Sequence, residues 1–331
     1  MKTKTLLLAC VAAAVCAGAE TPSPALLVLN KEEASLAIVD PAAKKVVGRV
    51  AVGEGPHEVV VSDDGKLAFV SNYGSRTPGS TISVIDLPGQ KELRRLDLGA
   101  IRRPHGLWFA GGKLYFTAEL NKLVGRYDPA SNQVDWLMGT GQNTTHMVIV
   151  MPDLSRMFTA NISSNSISIF EPVQNGANWN QTVVGVGKGP EAVDLSPDGK
   201  ELWTAHSQDG GVSIIDIAAK KVTATLDVKT KRSNRLKFTP DGKRVLISDL
   251  GGGELVVLDV AGKKEVKRFA IGKNPEGILM VPDGSVAYVA LAGDNMIAVV
   301  DLSLLDVAER FATGTGPDGM AWAVQKGAIH Q

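Results

Sequence analysis

Short apolar runs separated by polar turns follow one another along the whole chain. Between residues 190 and 228, the runs Ala192–Leu195, Glu201–Ala205, Gly211–Ile217 and Lys221–Val228 are separated by turns that contain Asp-Gly and Gly-Gly pairs. Apolar runs of this length, rich in β-branched residues and bounded by such turns, predict half-buried or fully buried β-strands. The pattern therefore predicts an all-β fold in which four short strands make up each unit.

The same unit recurs seven times. Each copy opens with a Gly-Pro-type turn and a polar residue, and most copies continue through an apolar strand to a second turn such as Ser196–Lys200 or Thr239–Lys243. The first-turn positions, 41 to 48 residues apart, are Pro56, Pro104, Thr145, Pro190, Ser233, Pro275 and Pro317. A period of about 40–45 residues with several strands in each repeat is typical of β-propeller blades. We predict a seven-bladed β-propeller with four-stranded antiparallel blades.

The two ends of the chain predict how the ring closes. The seventh copy contains only its first strand, Met320–Val324. The N-terminal runs Ala25–Leu29, Ser35–Asp40 and Lys45–Val52 have the pattern of the three missing strands. Pairing of one C-terminal strand with three N-terminal strands would close the ring and remove the exposed edges of a linear array.

The first residues have a different character from the repeats. Met1–Ala19 carries Lys2 and Lys4, then an apolar stretch and an Ala-Gly-Ala end. This order is typical of a secretory signal peptide, and the apolar stretch is too short to span a membrane. The predicted organisation is a signal peptide at 1–19 and a single propeller domain at 20–331, periplasmic or secreted after cleavage. Lipidation at Cys10 is the alternative.

Composition and charge narrow the partners. The chain has 35 basic and 35 acidic residues, and loss of the two signal-peptide lysines leaves a net charge of about −2, which does not suggest nucleic-acid binding. Both cysteines, Cys10 and Cys16, fall in the signal peptide, so thiolate metal sites and thiol catalysis are excluded. No second apolar stretch approaches the roughly 18 residues that suggest a membrane span. We expect a monomer.

Several runs resemble a known family of repeats. AFVSNYG (68–74) followed by TISVIDL (81–87), SLAIVDPAAKKVVGRVAVGEGPHEVVVSDDGK (35–66) and GVSIIDIAAKKVTATLDV (211–228) resemble the YVTN family of β-propeller repeats. The resemblance covers essentially the whole mature chain and implies the propeller fold. The family includes lactonases, subunits of quinoprotein dehydrogenases and extracytoplasmic binding proteins. PHGLWFAGGKLYFTAELNKLVGRYDP (104–129) is similar to the repeat of streptogramin lyases, which implies a divalent metal and a histidine at the propeller face.

The polar residue after each first-turn position is a candidate site residue. These seven residues, called the ring here, are His57, His105, His146, Glu191, Asn234, Glu276 and Asp318. In a propeller they enter the innermost strands at the mouth of the central channel. The loops between the second and third strands emerge on the same face and add Arg76, Glu119 and His206 to the predicted ligand-binding residues. The residue two positions after each ring residue is apolar in all seven copies, beginning with Val59 in the first and ending with Met320 in the last. We therefore expect a packed apolar channel beneath the ring.

The ring residues suggest two kinds of chemistry. Imidazoles on three consecutive blades could meet at a metal about 2.0–2.1 Å away, and imidazole suits Zn, Cu, Fe or Ni. The predicted metal ligands are His57, His105 and His146, which makes a divalent metal ion a possible cofactor. The carboxylates of Glu191, Glu276 and Asp318 could bind a hard cation or orient a water. The alternative is that all seven residues hydrogen-bond channel waters and free backbone groups at a turn.

These features leave three functions open. The preferred interpretation is a periplasmic or secreted propeller that binds an unknown small molecule or a periplasmic protein at the channel mouth, with no assigned catalytic residue. The second is a metal-dependent lyase or lactonase that uses His105, His146 and the carboxylates. The third is a non-catalytic subunit of a periplasmic redox enzyme.

Overall fold

The computed structural model describes residues 20–173 and 178–327, in which 28 β-strands form seven four-stranded antiparallel sheets. The predicted signal peptide, 1–19, lies outside the described residues. Two single-turn 3-10 helices, Ile162–Ser164 and Ala292–Asp294, lie in loops between strands. Within the two described ranges, no helix has the length and apolar character needed to cross a membrane.

Each sheet is one blade, and the blades follow one another in chain order. The chain starts with β1 (Ala25–Asn30), β2 (Ser35–Asp40) and β3 (Lys45–Ala51). Blade 1 comprises β4 (Pro56–Val61), β5 (Leu67–Gly74), β6 (Pro78–Asp86) and β7 (Lys91–Asp97). Blade 2 comprises β8 (Pro104–Ala110), β9 (Lys113–Ala118), β10 (Leu123–Asp128) and β11 (Gln133–Gly139). Blade 3 comprises β12 (Thr145–Val150), β13 (Met157–Asn161), β14 (Ser166–Pro172) and β15 (Trp179–Gly185).

The remaining blades have the same order. Blade 4 comprises β16 (Pro190–Leu195), β17 (Glu201–His206), β18 (Val212–Asp216) and β19 (Lys221–Leu226). Blade 5 comprises β20 (Ser233–Phe238), β21 (Arg244–Asp249), β22 (Glu254–Asp259) and β23 (Lys264–Ala270). Blade 6 comprises β24 (Pro275–Met280), β25 (Val286–Leu291), β26 (Met296–Asp301) and β27 (Asp306–Phe311), and the last strand is β28 (Pro317–Ala323).

The ring closes as the sequence predicts. Blade 7 has the strand order β28-β1-β2-β3, so one C-terminal strand pairs with three N-terminal ones. Ala25 pairs with Ala323 and Val28 with Met320 in an antiparallel register. Because every strand of blade 7 is then paired as in the other blades, the ring has no open junction between its first and last blades.

The core lies between neighbouring blades. All six residues of β1 are buried, because the second strand of a blade is covered on both faces by the adjacent blades. The outermost strands β7, β11 and β19 instead alternate between exposed and half-buried positions. This alternation is expected for a strand with one face on the core and the other in solvent. Blades 7 and 1, for example, share a cluster that includes Leu27, Leu29, Val59 and Val70.

A register irregularity lies at the start of every innermost strand. In blade 2, Pro104 pairs with Ala118 and Leu107 with Phe116, so three steps along β8 match two along β9. The other six blades have a register shift at the corresponding place. A β-bulge re-aims the side chains beside it. The bulges therefore set the direction of the ring residues, which lie within or next to them.

Small residues let neighbouring innermost strands approach closely just beyond the bulge. A Cβ atom at Gly106 would lie 2.5 Å from the carbonyl oxygen of His146, and one at Gly319 would lie 2.2 Å from that of His57. In both cases the neighbouring atom is backbone and cannot rotate away. The glycines therefore fix the distance between successive ring residues.

Candidate functional site

The seven ring residues surround one cavity at the channel mouth. The cavity has a volume of about 690 Å³, which is within the roughly 300–1,000 Å³ typical of small-molecule sites. Besides the ring, its lining includes Lys31, Glu58, Tyr73, Glu119, Arg232 and Arg235. The common direction that the bulges give to the ring side chains explains why all seven converge here.

Two hydroxyl groups on second strands help to place the ring. Thr117 Oγ1 accepts a hydrogen bond from the Gly106 amide at 2.8 Å and donates one to the His146 carbonyl at 2.6 Å. Ser248 Oγ donates to the carbonyl of Glu276 at 2.7 Å. Both hydroxyls are fully buried and satisfy backbone groups beside the bulges. They tie the entry of one innermost strand to that of the next blade.

The three histidines lie side by side on blades 1 to 3. The ring centroids of His57 and His105 are 5.1 Å apart, and those of His105 and His146 are 3.7 Å apart. Burial lowers the pKa of His57 and holds the pKa of His105 well below its usual range, where the neighbouring His146 adds to the effect. Both imidazoles are therefore neutral at pH 7.

The tautomer of His57 follows from its partner. Its Nδ1 lies 2.8 Å from the carbonyl oxygen of Gly55, which can only accept a hydrogen bond. In the neutral ring, Nδ1 therefore carries the proton and Nε2 has the lone pair. A neutral imidazole with an available nitrogen lone pair can accept a proton from a water molecule.

Glu119 joins the histidines from the turn after β9. His146 Nδ1 donates to Glu119 Oε1 at 2.6 Å, and the Tyr73 hydroxyl donates to Glu119 Oε2 at 2.5 Å. Burial alone would raise the pKa of Glu119, but the hydrogen bond and charge of His146 hold it below its usual range. Burial, together with Glu119, raises the pKa of Tyr73 to about 12. Glu119 is thus an anion that both neighbours hold in place.

On the opposite side, Lys31 binds two ring carboxylates that the sequence suggested could bind a hard cation. Lys31 Nζ lies 2.8 Å from Glu276 Oε2 and 3.0 Å from Asp318 Oδ2. Burial and the charge of Asp318 raise the pKa of Glu276 to about 8, although Lys31 opposes the shift. Burial also opposes ionisation of Asp318, but the Lys31 ammonium keeps the pKa of Asp318 below its usual range. Glu276 therefore holds a proton at pH 7 while Asp318 is charged.

The third carboxylate, Glu191, has a different partner. Asn234 Nδ2 donates to Glu191 Oε1 at 3.1 Å, so these two ring residues form a pair between blades 4 and 5. Asn234 Oδ1 is buried and has no hydrogen-bond partner within the described part of the chain. The pair lies between the histidine side and the lysine side of the ring.

The floor of the cavity is charged, which corrects the prediction of an apolar channel directly beneath the ring. Arg235 Nη2 donates to Glu58 Oε1 at 2.5 Å, and the two side chains are only 10% and 14% exposed. Both residues come one position after a ring residue, where four other blades have glycine or alanine. The room left by those small residues lets the long side chains of blades 1 and 5 meet. Both residues also line a smaller cavity of about 140 Å³ that includes the apolar positions Val59 and Met320.

Two predicted ligand-binding residues lie outside the cavity lining. Arg76 is exposed on the turn between β5 and β6, away from the lining residues. His206 is only 1% exposed, and its Nδ1 lies 2.8 Å from Asp209 Oδ1 in the turn after β17. That carboxylate holds the imidazole within its own blade.

The grouping of potential metal-ligand atoms differs by one residue from the predicted three-imidazole set. Among the described residues, the group of side-chain donor atoms that lie within 4.8 Å of one another belongs to His105, Glu119 and His146. Glu119 takes the place expected for His57. The sequence did not predict this grouping, because Glu119 lies in the loop between the second and third strands of its blade. The repeat predicts the face from which such a loop emerges, but not how far its side chains reach into the cavity.

Comparisons with known proteins assign the family. The sequence model described as "Lactonase, 7-bladed beta-propeller" matches residues 124–331, which is more than half of the chain. The chain belongs to this lactonase propeller family. The match confirms the seven-bladed propeller predicted from the repeats, and it does not test the resemblance to YVTN repeats or to streptogramin lyases. No curated protein matches the chain in sequence.

Solved structures share the fold of this lactonase-family propeller. The periplasmic gluconolactonase of Pseudomonas aeruginosa is 18% identical, with a TM-score of 0.76 over 92% of this chain and 100% of that one. A candidate 6-phosphogluconolactonase from Bacteroides uniformis is 16% identical, with a TM-score of 0.77 over 91% and 99%. Hydrazine synthase from Kuenenia stuttgartiensis is 20% identical, with a TM-score of 0.69 over 82% and 93%. At these identities the likeness shows the fold alone.

Proposed function

We propose that the protein is a periplasmic lactonase that hydrolyses an uncharged sugar lactone in the channel-mouth cavity. The observation that carries the proposal is the placement of His57 and Glu276 on either side of Asp318, on three consecutive blades that line one cavity. The charge of Asp318 influences the pKa of both neighbours. Membership of the lactonase propeller family and the predicted signal peptide at 1–19 support the activity and its location.

His57 and Glu276 have the protonation states that lactone hydrolysis needs. The pKa of His57 is lowered by burial, so at neutral pH its Nε2 can accept a proton. The pKa of Glu276 is raised to about 8, so its carboxyl group can donate one. Paired titratable groups whose environments move their pKa values apart are the usual signature of acid and base roles. We assign His57 as the general base and Glu276 as the general acid.

The reaction balances with these two groups. His57 takes a proton from a water molecule as the water oxygen forms a bond to the lactone carbonyl carbon. The bond from that carbon to the ring oxygen then breaks, and Glu276 protonates the leaving oxygen to give a hydroxy acid. His57 returns its proton to Glu276 through water. Lys31 uses two of its three N–H donors on carboxylates, which leaves one that can bind the developing oxyanion.

The charge of the lining favours a substrate without a phosphate group. Five carboxyl side chains line the cavity against the three cations Lys31, Arg232 and Arg235. Lys31 and Arg235 already contact carboxylates, and Arg232 is exposed. A phosphorylated lactone would therefore meet net negative charge without a buried unpaired cation in the described lining. The gluconolactonase in the comparison is a closer guide to substrate charge than the 6-phosphogluconolactonase.

The other interpretations have less support. Binding without chemistry, which the sequence alone favoured, does not account for the opposed protonation states of His57 and Glu276 or for the family. A lyase remains the second candidate because the streptogramin-lyase-like repeat at 104–129 contains both His105 and Glu119. A subunit of a redox enzyme rests on fold likeness alone.

The test is lactone opening by the mature chain, followed as acid release above the spontaneous rate. The panel should contain an uncharged aldonolactone, its 6-phosphate and an aliphatic lactone. We expect the highest kcat/KM for the uncharged aldonolactone, and a product that has gained one water. A product of unchanged mass would indicate a lyase, and binding without opening would indicate the binding protein. Preference for the phosphorylated lactone would contradict the charge argument.

A further inference from the structure

We propose that His105, His146 and Glu119 bind one divalent transition-metal ion in the wall of the cavity. The three side chains come from the ring positions of blades 2 and 3 and from the turn after β9. Their donor atoms lie within 4.8 Å of one another. The inference goes beyond the proposed hydrolysis, because it concerns a binding site whose occupancy can be measured without any substrate.

The packing of the two imidazoles favours a bound metal ion. The ring centroids of His105 and His146 are 3.7 Å apart and the ring planes are 30° from parallel. His105 is only 5% exposed, and its Nδ1 finds no hydrogen-bond partner among the residues that the structure describes. A buried polar nitrogen without a partner is unfavourable unless something else binds it. A metal ion would satisfy that nitrogen.

The chemistry of the three donor groups favours a transition metal. Two imidazoles and one carboxylate are a combination found in catalytic zinc sites and in non-haem iron sites, which keep further positions open. Magnesium and calcium prefer sites made of oxygen atoms, so the pair of nitrogen donors favours a transition metal. Of the other lining carboxylates, Glu58 and Asp318 are paired with Arg235 and Lys31, which leaves Glu191 to add to the attraction for a cation.

Neighbouring residues hold Glu119 in position. The Tyr73 hydroxyl donates to Glu119 Oε2, and the guanidinium of Arg103 lies 4.4 Å from the centroid of the Tyr73 ring. The Glu119 backbone amide donates to the Arg103 carbonyl at 3.1 Å. Metal ligands are commonly held by outer hydrogen bonds of this kind, and loss of such a bond typically costs about 10–100-fold in metal affinity.

The geometry needs a small closure. Metal–donor distances of about 2.0–2.2 Å place tetrahedral ligand atoms roughly 3.3–3.6 Å apart. The donor atoms here lie within 4.8 Å of one another, so the most distant pair needs to close by at most about 1.5 Å. His146 Nδ1 and Glu119 Oε1 already lie 2.6 Å apart. Rotation of the Glu119 and imidazole side chains can supply this movement, because the backbone positions are already fixed by the bulges and by Thr117.

The experiment is calorimetric titration of the metal-free mature chain with Zn²⁺, with Co²⁺ as a second probe. We expect one site per chain, and visible d–d absorption when Co²⁺ binds. His105→Ala, His146→Ala and Glu119→Gln should each weaken Zn²⁺ binding by roughly 100-fold or more, and Tyr73→Phe by about 10-fold. Far-UV circular dichroism and thermal melting should establish that each variant is folded.

The matched control is His206→Gln. His206 is also buried, its Nδ1 also contacts a carboxylate, and its Nε2 also has no partner in the described ranges. Because His206 lies outside the cavity lining, its replacement should leave the Zn²⁺ affinity unchanged within about threefold. His57→Gln should also leave it unchanged, because His57 lines the cavity but is not one of the three donor residues.

Three outcomes would overturn the inference. They are no Zn²⁺ or Co²⁺ binding by the wild type, equal binding by the wild type and the folded ligand variants, and loss of binding in His57→Gln, which would instead indicate three imidazole ligands. In the first two cases the contact between Glu119 and His146 would be a hydrogen bond only. Lactone assays do not enter the decision, so failure of the proposed hydrolysis and failure of the metal site are distinguishable.

Discussion

The ion pair between Glu58 and Arg235 gives a quantitative test of how the channel floor is held. The perturbation is Glu58→Gln, which removes one charge with little change in shape. In the wild type, Arg235 Nη2 contacts Glu58 Oε1, and Arg235 Nη1 lies 3.5 Å from Met147 Sδ. Burial alone would lower the pKa of Arg235, but the carboxylate of Glu58 raises it, so the guanidinium is charged and depends on that partner.

The expected cost follows from the burial of the pair. Removal of one partner from a buried ion pair costs about 3–5 kcal/mol, because the remaining charge is left without compensation. The side chains are 10% and 14% exposed at the bottom of an open cavity, so water can partly solvate the remaining charge and we expect a value near the lower limit, about 3 kcal/mol. Arg235→Met should cost a similar amount because it leaves Glu58 unpaired.

The assay is urea unfolding of the wild type, both single variants and the double variant Glu58→Gln/Arg235→Met. The double variant leaves no unpaired buried charge and places a methionine beside Met147. It should therefore be more stable than either single variant, with a coupling energy of about 2 kcal/mol or more. Additive effects in the double variant, or single effects below about 1 kcal/mol, would refute the view that the pair depends on mutual compensation.

Two further predictions concern pH and close packing. The pKa of Glu276 is raised from 4.5 to about 8 in the folded protein, so its contribution to stability is fully present below about pH 4.5 and is lost as the pH rises through about 8. Between these two pH values, the melting temperature of the wild type should fall relative to that of Glu276→Gln. Parallel curves of melting temperature against pH would contradict the raised pKa. Gly106→Ala should lower the melting temperature and weaken Zn²⁺ binding because its Cβ would lie 2.5 Å from the His146 carbonyl oxygen, whereas Gly139→Ala, whose Cβ meets nothing within 4 Å, is the matched control. Equal melting of the two glycine variants would show that the innermost strands can separate without cost.

The repeat made the fold predictable from the sequence. Each blade has the same order of turn, polar residue, apolar strand and second turn. A strand whose pattern is ambiguous in one copy can therefore be assigned by comparison with the other copies. The closure between β28 and β1 followed because Met320–Val324 and Ala25–Leu29 together complete one blade. The ring residues were identified for the same reason, since equivalent positions in a propeller share one distance from the axis.

The parts of the site without a repeated signal were not predictable. Lys31 lies in the turn between β1 and β2, and nothing in its neighbourhood marks it as the partner of two carboxylates on blades 6 and 7. Glu58 and Arg235 are 177 residues apart in the sequence. Their importance is visible only when the position after each ring residue is compared among the blades, because four other blades have glycine or alanine there. His206 was expected to line the cavity but lies outside the lining, because its imidazole is directed by the contact with Asp209 in the turn that follows.

Catalysis of lactone hydrolysis by His57 can be measured by steady-state kinetics of the wild type, His57→Gln and His206→Gln on an uncharged aldonolactone. General-base catalysis is worth about 10²–10⁴-fold. We therefore predict that His57→Gln lowers kcat by at least about 100-fold with little change in KM, while His206→Gln retains the wild-type rate. A wild-type rate no faster than spontaneous hydrolysis, or a His57→Gln variant as active as the wild type, would contradict hydrolysis of the lactone by His57.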